Sequence, residues 1–218
     1  MNRLIVFAAC MLLLSPFSMA SSIPRGTMEQ MTEQITKLAP SLVDITPVLS
    51  ESAEANLSAV LKGSLRTNRF MEISLEADEQ GDSMLHAKII NISGAQAELQ
   101  SLSVANQLAV EAGDFIYATF SLRAPVGVRA PTVSFEGRIS TPPSQCLKSS
   151  GRLTVTGEWV TYAYLMRAPN RFLPAGELKF LFRVLVDSTS KELDGFEIKD
   201  FMVFNLGNNP DARRLPLH

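Results

Sequence analysis

From Arg69 onward the chain alternates. Met71, Ile73 and Leu75 are separated by Glu72, Ser74 and Glu76. That period of two suits a half-buried strand and not a helix, whose faces repeat about every 3.6 residues. Leu85, Ala87 and Ile89 continue it after the Gly81-Asp82 turn. Further strand-like runs cover residues 97–102, 115–122, 133–139, 153–155, 158–166, 177–186 and 196–206. Between them stand turn signals: 91–94, Gly113-Asp114, the Pro/Gly stretch 125–131 and the polar loop 141–151. Eight or nine strands with little helix predict an all-β sandwich, with a closed barrel as the alternative.

One run changes parity. Phe196 and Ile198 are even, whereas Phe201 and Val203 are odd. An extra residue at Lys199-Asp200 keeps both pairs on one face, which predicts a β-bulge. A strand buried on both sides is the other reading, because Met202 and Phe204 are also apolar.

Residues before 66 read differently. Met1-Asn2-Arg3, an uncharged run over 4–14 and Ser18-Met19-Ala20 have the order of a secretory signal peptide covering residues 1–20. The apolar run is too short for a membrane span. The expectation is an extracytoplasmic protein, secreted or periplasmic, without a membrane span after cleavage. Residues 21–65 then form an N-terminal extension, partly helical. Met28, Met31, Ile35 and Leu38 recur at helical spacing until Pro40, and a weaker helical pattern covers 52–65. Whether this extension packs or serves as a stalk stays open. The sandwich is expected over 66–208 and a tail over 209–218.

Composition narrows the chemistry. Loss of Arg3 with the leader takes the formal charge from −2 to −3, which gives no basic bias toward nucleic acid. Cys10 would leave as well, so Cys146, placed in the 141–151 loop, has no internal partner. Only His86 and His218 exist, which nearly excludes histidine-based catalysis and multi-histidine metal sites. Asn56-Leu57-Ser58 and Asn91-Ile92-Ser93 are glycosylation sequons. Glu72, Glu76, Glu98 and Glu136 fall in strands, but no motif selects a catalytic pair.

Four ordered segments resemble the CenC-type carbohydrate-binding modules, the group of families 4, 9, 16 and 22. They are Leu99-Gln100 followed by Val110-Glu111-Ala112-Gly113-Asp114-Phe115, then Phe120-Ser121-Leu122-Arg123-Ala124, then Val155-Thr156-Gly157-Glu158-Trp159-Val160-Thr161-Tyr162, and finally the stretch from Phe196 to Asn205. They are similar to the family's "V-Q-L … K-G-D", "F-W-A-R-A", "v-t-x-E-W-x-x-Y" and "I-E-I-D-D-V-x-L-x-N", in the version that precedes some xylanases. Ser121 stands where the family has tryptophan, and Lys199 replaces the first aspartate. The resemblance implies a galactose-binding-like jelly roll with a glycan on its concave face, no catalysis, and a structural calcium away from the sugar. A jelly roll that kept the fold and binds a protein partner instead is the alternative.

A sugar needs an aromatic platform for its C–H faces and planar hydrogen-bonding groups for its hydroxyls. The chain has one tryptophan and three tyrosines. The candidate carbohydrate-binding residues are therefore Gln100, by the resemblance, and Tyr117, Tyr162, Tyr164 and Arg183. Tyr162 and Tyr164 share a face that is either a groove or a half-buried pair. Arg183 shares a face with Lys179, Leu181 and Leu185, either groove or solvated. Trp159 is expected in the core, Arg123 at a strand end, His86 as a half-buried strand residue, and Asp200 as a bulge residue or calcium ligand.

Overall fold

The computed structural model describes residues 23–64, 70–90, 98–186 and 192–217. Residues 1–20, expected above to be a signal peptide, the sequon at Asn91 and His218 lie outside those residues. Two helices precede or intersperse the first strand: α1 (Met28–Leu38), β1 (Thr46–Pro47) and α2 (Ala53–Ser64). The strands that follow are β2 (Met71–Ala77), β3 (Ser83–Ile89), β4 (Glu98–Ala105), β5 (Phe115–Arg123) and β6 (Thr132–Ile139). The series closes with β7 (Gln145–Ser149), β8 (Val160–Arg167), β9 (Leu178–Val186), β10 (Gly195–Asn205) and a 3-10 turn, Pro210–Arg214.

The strands form an all-β sandwich of two antiparallel sheets. Sheet A runs β2-β3-β10-β5-β8, with β1 added alongside the end of β10, and sheet B runs β4-β9-β6-β7. The alternation explains what lies between them. Ile116, Ala118, Phe120 and Leu122 of β5 meet Phe180, Phe182 and Val184 of β9 in one core. Phe120 is its centre, 4.7 Å from the Phe135 ring and 4.9 Å edge-on from Phe182. Such pairs add to burial through their quadrupoles. Gly137 belongs to this packing, because a Cβ there would come 2.3 Å from Met166 Sδ.

The bulge lies where parity changed. The β10–β5 register slips between Lys199 and Met202, and Asp200 takes a φ of 55°. Aspartate tolerates this left-handed region better than most residues. The slip keeps Phe196, Ile198, Phe201 and Val203 all in the inter-sheet core.

Both helices pack. Thr27 caps α1 through a reciprocal box with Gln30, and Met31 and Ile35 are buried. They lie on the outer face of sheet A with Phe115, Tyr117, Met202 and Phe204, joined by Ala212 and Leu215 from the C-terminal segment. Helix α2 places Leu57 and Val60 in the inter-sheet core. Ser64 Oγ, at its end, accepts from the Ser103 N–H on the free edge of β4. Asn56 is wholly buried, its amide donating to Phe201 O at 3.0 Å and its Oδ1 accepting from Ser50 N at 2.8 Å. That sequon is a structural tie between α2 and the bulge, and its amide is closed to a glycosylating enzyme.

Three local readings are corrected. Residues 145–149 form strand β7, so Cys146 is an exposed strand residue and not a loop one. Residues 153–155 are not a strand. Trp159 precedes β8, half exposed and outside both core clusters.

Candidate functional site

The five residues singled out in the sequence do not converge. Tyr162 and Tyr164 point inward from β8 and stack near Phe120, with ring centroids 5.7 and 6.0 Å away. The Tyr162 hydroxyl donates to Thr154 O. Gln100 also faces inward, opposite Val184 across the β4–β9 ladder, and is 5% exposed. Tyr117 faces outward from β5, but α1 and the C-terminal segment cover it, and its hydroxyl donates to Pro216 O at 2.8 Å. Burial pushes the hydroxyls of Tyr117, Tyr162 and Tyr164 up, that of Tyr164 to about 12. Arg183 stands apart on the outer face of sheet B with Leu181, its Nε 3.0 Å from Glu136 Oε2. A sugar ring stacks on an exposed aromatic face, and positions 117, 162 and 164 offer none.

The accessible polar chemistry lies elsewhere, on the half of sheet A's outer face that α1 leaves uncovered. The pleat sets the row. Ser74 of β2 stands opposite His86 of β3, His86 opposite Glu197 of β10, and Glu197 opposite Arg123 at the end of β5. Arg123 Nε donates to Glu197 Oε2 at 2.5 Å, and His86 Nδ1 lies 3.4 Å from the other carboxylate oxygen. Glu197 is buried beneath these partners. The Trp159 ring ends the row, with the Arg123 guanidinium 4.6 Å and the Lys199 ammonium 4.7 Å from its centroid. Arg123 thus ends its strand as expected, and His86 is a part-buried strand residue.

The bulge joins this row to a cleft. Lys199 stands opposite Ser121, donates to Asp78 Oδ2 at 2.8 Å and holds that carboxyl below its ordinary range. Ser121 Oγ shares a 2.9 Å hydrogen bond with Thr161 Oγ1 and donates to Asp200 Oδ2 at 3.2 Å. Asp200 in turn lines an open cleft of about 500 Å³. Its other walls include Thr27 and Gln30 of the α1 cap, Ser52 and Glu54 at the start of α2, and Asp82 of the β2–β3 turn. Among the described residues no three His, Cys, Asp or Glu side chains are grouped to hold a metal ion. Asp200 serves the bulge and its hydroxyl partner, so the residues present do not fit a calcium site there.

Sequence reasoning missed this row for a definable reason. Glu197, Arg123 and His86 come from three separate strands, and only the register makes them neighbours. The signal that was available is Trp159, the single tryptophan.

No protein-family model matches the chain, and no curated protein does. Among solved structures it is similar to the CBM22-1 xylan-binding domain of Paenibacillus barcinonensis Xyn10C. That match has 11% identity and a TM-score of 0.43, covering 64% of this chain and 83% of that one. It is also similar to the N-terminal cellulose-binding domain of Cellulomonas fimi β-1,4-glucanase C, at 12% identity and a TM-score of 0.40 over 58% and 83% of the two chains. The enzymatically active domain of bacteriophage CBA120 tailspike protein 4 matches at 14% identity and a TM-score of 0.45. There the match covers 64% of this chain but 18% of the other. The structural neighbours thus include carbohydrate-binding modules of the group that the four sequence segments resemble.

Proposed function

We propose that this chain is a non-catalytic glycan-binding protein working outside the cytoplasm, and that the glycan lies along the Trp159 row rather than at Gln100, Tyr117, Tyr162, Tyr164 and Arg183. One observation carries the reading. The single tryptophan is partly exposed, with the Arg123 guanidinium and the Lys199 ammonium against its ring; Arg123 pairs in turn with Glu197, which His86 faces, and Asp200 beside Lys199 lines the 500 Å³ cleft. An aromatic ring with planar donors and acceptors is what a sugar's alternating C–H and hydroxyl surfaces need. The leader-like pattern of residues 1–20 supports the extracytoplasmic setting.

The test is retention by a panel of neutral polysaccharides, comparing the native chain with Trp159→Ala. At least one glycan should be retained, and the substitution should weaken retention about tenfold or more. Equal retention by both proteins would move the site elsewhere, and no retention of any glycan by folded protein would overturn the function. A second reading has its own observation. The other half of the same face is already filled by apolar side chains of α1 and the C-terminal segment, as in a sandwich adapted to hold its own segments or a protein partner. A folded chain that binds no glycan but repeatedly captures one envelope protein would favour that reading.

A further inference from the structure

Sheet B has an outer face of a different kind. Phe180, Phe182 and Val184 of β9 and Val133, Phe135 and Ile139 of β6 point into the core, so Lys179, Leu181 and Arg183 point out, as do Ser134, Glu136 and Arg138. The ladder sets Lys179 opposite Arg138, Leu181 opposite Glu136 and Arg183 opposite Ser134. Ser101 and Ser103 of β4 continue the last two rows. Among the described residues no helix lies on this face, and α2 reaches sheet B at the β4 edge.

The charges here do not balance. Glu136 Oε2 is 3.0 Å from Arg183 Nε and 3.9 Å from Arg138 Nε. Among the described residues none of these three buried atoms has a hydrogen-bond partner, so neither contact is aligned as a bond. One carboxylate is divided between two guanidiniums, and neighbouring Lys179 is exposed. The surface is locally cationic on a chain whose net charge is −2. Buried polar atoms without a protein partner are met by water, an ion or a ligand group. Guanidinium groups with free donors favour carboxylates, which they hold in a fork.

We infer that the outer face of sheet B is a second binding surface, for an acidic polysaccharide whose uronate carboxylates pair with Arg138, Arg183 and Lys179 while its hydroxyls meet the serines of β4 and β6. The inference goes beyond the Trp159 row and does not depend on it. A nucleic acid fits less well. A duplex carries a charge about every 1.7 Å, which calls for a broader basic field. Single strands are held by stacking on aromatic rings, and the six outward residues of β6 and β9 named above include none. A uronate polymer needs neither.

The experiment is affinity electrophoresis of the full chain in gels containing polygalacturonate, with hydroxyethylcellulose as the neutral control and single-stranded DNA as the rival polyanion. Polygalacturonate should retard the protein. Retardation should fade as sodium chloride rises from about 0.01 M to about 1 M, where the screening length shrinks from about 30 Å to about 3 Å. The double variant Arg138→Gln, Arg183→Gln should bind about tenfold more weakly or worse. Lys179→Gln, at an exposed position, should weaken binding several-fold with an unchanged thermal midpoint, and it decides the matter if the double variant fails to fold. Glu136→Gln should strengthen binding, because it frees both guanidiniums, a gain that a merely structural role would not produce. Trp159→Ala should leave polygalacturonate retardation unchanged, which separates this face from the row on sheet A. Absence of retardation at low salt, no gain from Glu136→Gln, or equal retention of single-stranded DNA would each overturn the inference.

Discussion

The outer face of sheet A is divided. Along β5 and β10, Phe115, Tyr117, Met202 and Phe204 lie under α1 and the C-terminal segment. Three to six residues further along the same strands, Ser121, Arg123, Lys199 and Glu197 carry the polar row. One pair of strands thus supplies both a sealed apolar half and a charged half, and the slip at Asp200 lies between them. The lesson is that burial of an outward face depends on what the chain folds back over it. Tyr117 and Arg123 share strand and orientation, and only the first meets a helix.

The sharpest way to break this contrast is Tyr117→Ala. It removes a fully buried ring and the hydroxyl bond to Pro216, and should cost about 3–5 kcal/mol, seen as a lower urea midpoint at unchanged slope. A loss under about 1 kcal/mol would mean that α1 and the tail do not seal that half. Glu197→Gln attacks the polar half. It removes the charge that holds Arg123 and His86, and should cost about 2 kcal/mol while freeing the guanidinium from the Trp159 row. A neutral result would make the row a surface feature without structural weight.

The buried tyrosines, Tyr117 under α1 and Tyr162 and Tyr164 in the inter-sheet core, differ from the polar half in pH response. Burial raises the hydroxyls of Tyr117, Tyr162 and Tyr164 above their ordinary value of 10.0. The folded state keeps protons that the unfolded chain has lost. Stability is therefore full below the ordinary value and falls as pH rises above it. Tyrosinate absorbance should appear together with unfolding, and ionisation in a still-folded protein would show these rings to be accessible. On the polar side the sign reverses. The hydrogen bond from Lys199 lowers Asp78 from its ordinary 3.8, so that contribution is full above 3.8 and is lost as pH falls through the lower folded value. Lys199→Met should raise the acid unfolding midpoint by less than about one pH unit, the smallest of these effects. An unmoved midpoint would remove the pair from the acid response.

Much of the fold was legible because the hydrophobic effect writes itself locally. Alternation marked β2, β3, β5, β6, β8, β9 and β10 close to their observed bounds, and helical spacing marked α1. The parity change from Ile198 to Phe201 left a bulge or a strand buried on both faces, and the slip at Asp200 shows the bulge. Strand β7 was not legible, because an edge strand with one neighbour needs no apolar face, and Gln145-Cys146-Leu147-Lys148-Ser149 shows none. The site was hardly legible. Trp159 reads as core by residue type, since tryptophan is on average highly buried, and Asn56 reads as a glycan acceptor until its amide meets Phe201 O.

By itself the sequence determined which side of each strand is apolar, where turns interrupt, that the apolar positions of β10 change parity, and that histidine chemistry is scarce. These follow from residue type and spacing within one segment. The tertiary structure decided which outward faces are covered, and therefore that Tyr117 is sealed, Trp159 is half exposed, and Arg138 and Arg183 are left with one carboxylate between them. Those outcomes depend on register and on α1 returning over sheet A. They are set by contacts between residues far apart in the chain, which no local pattern encodes.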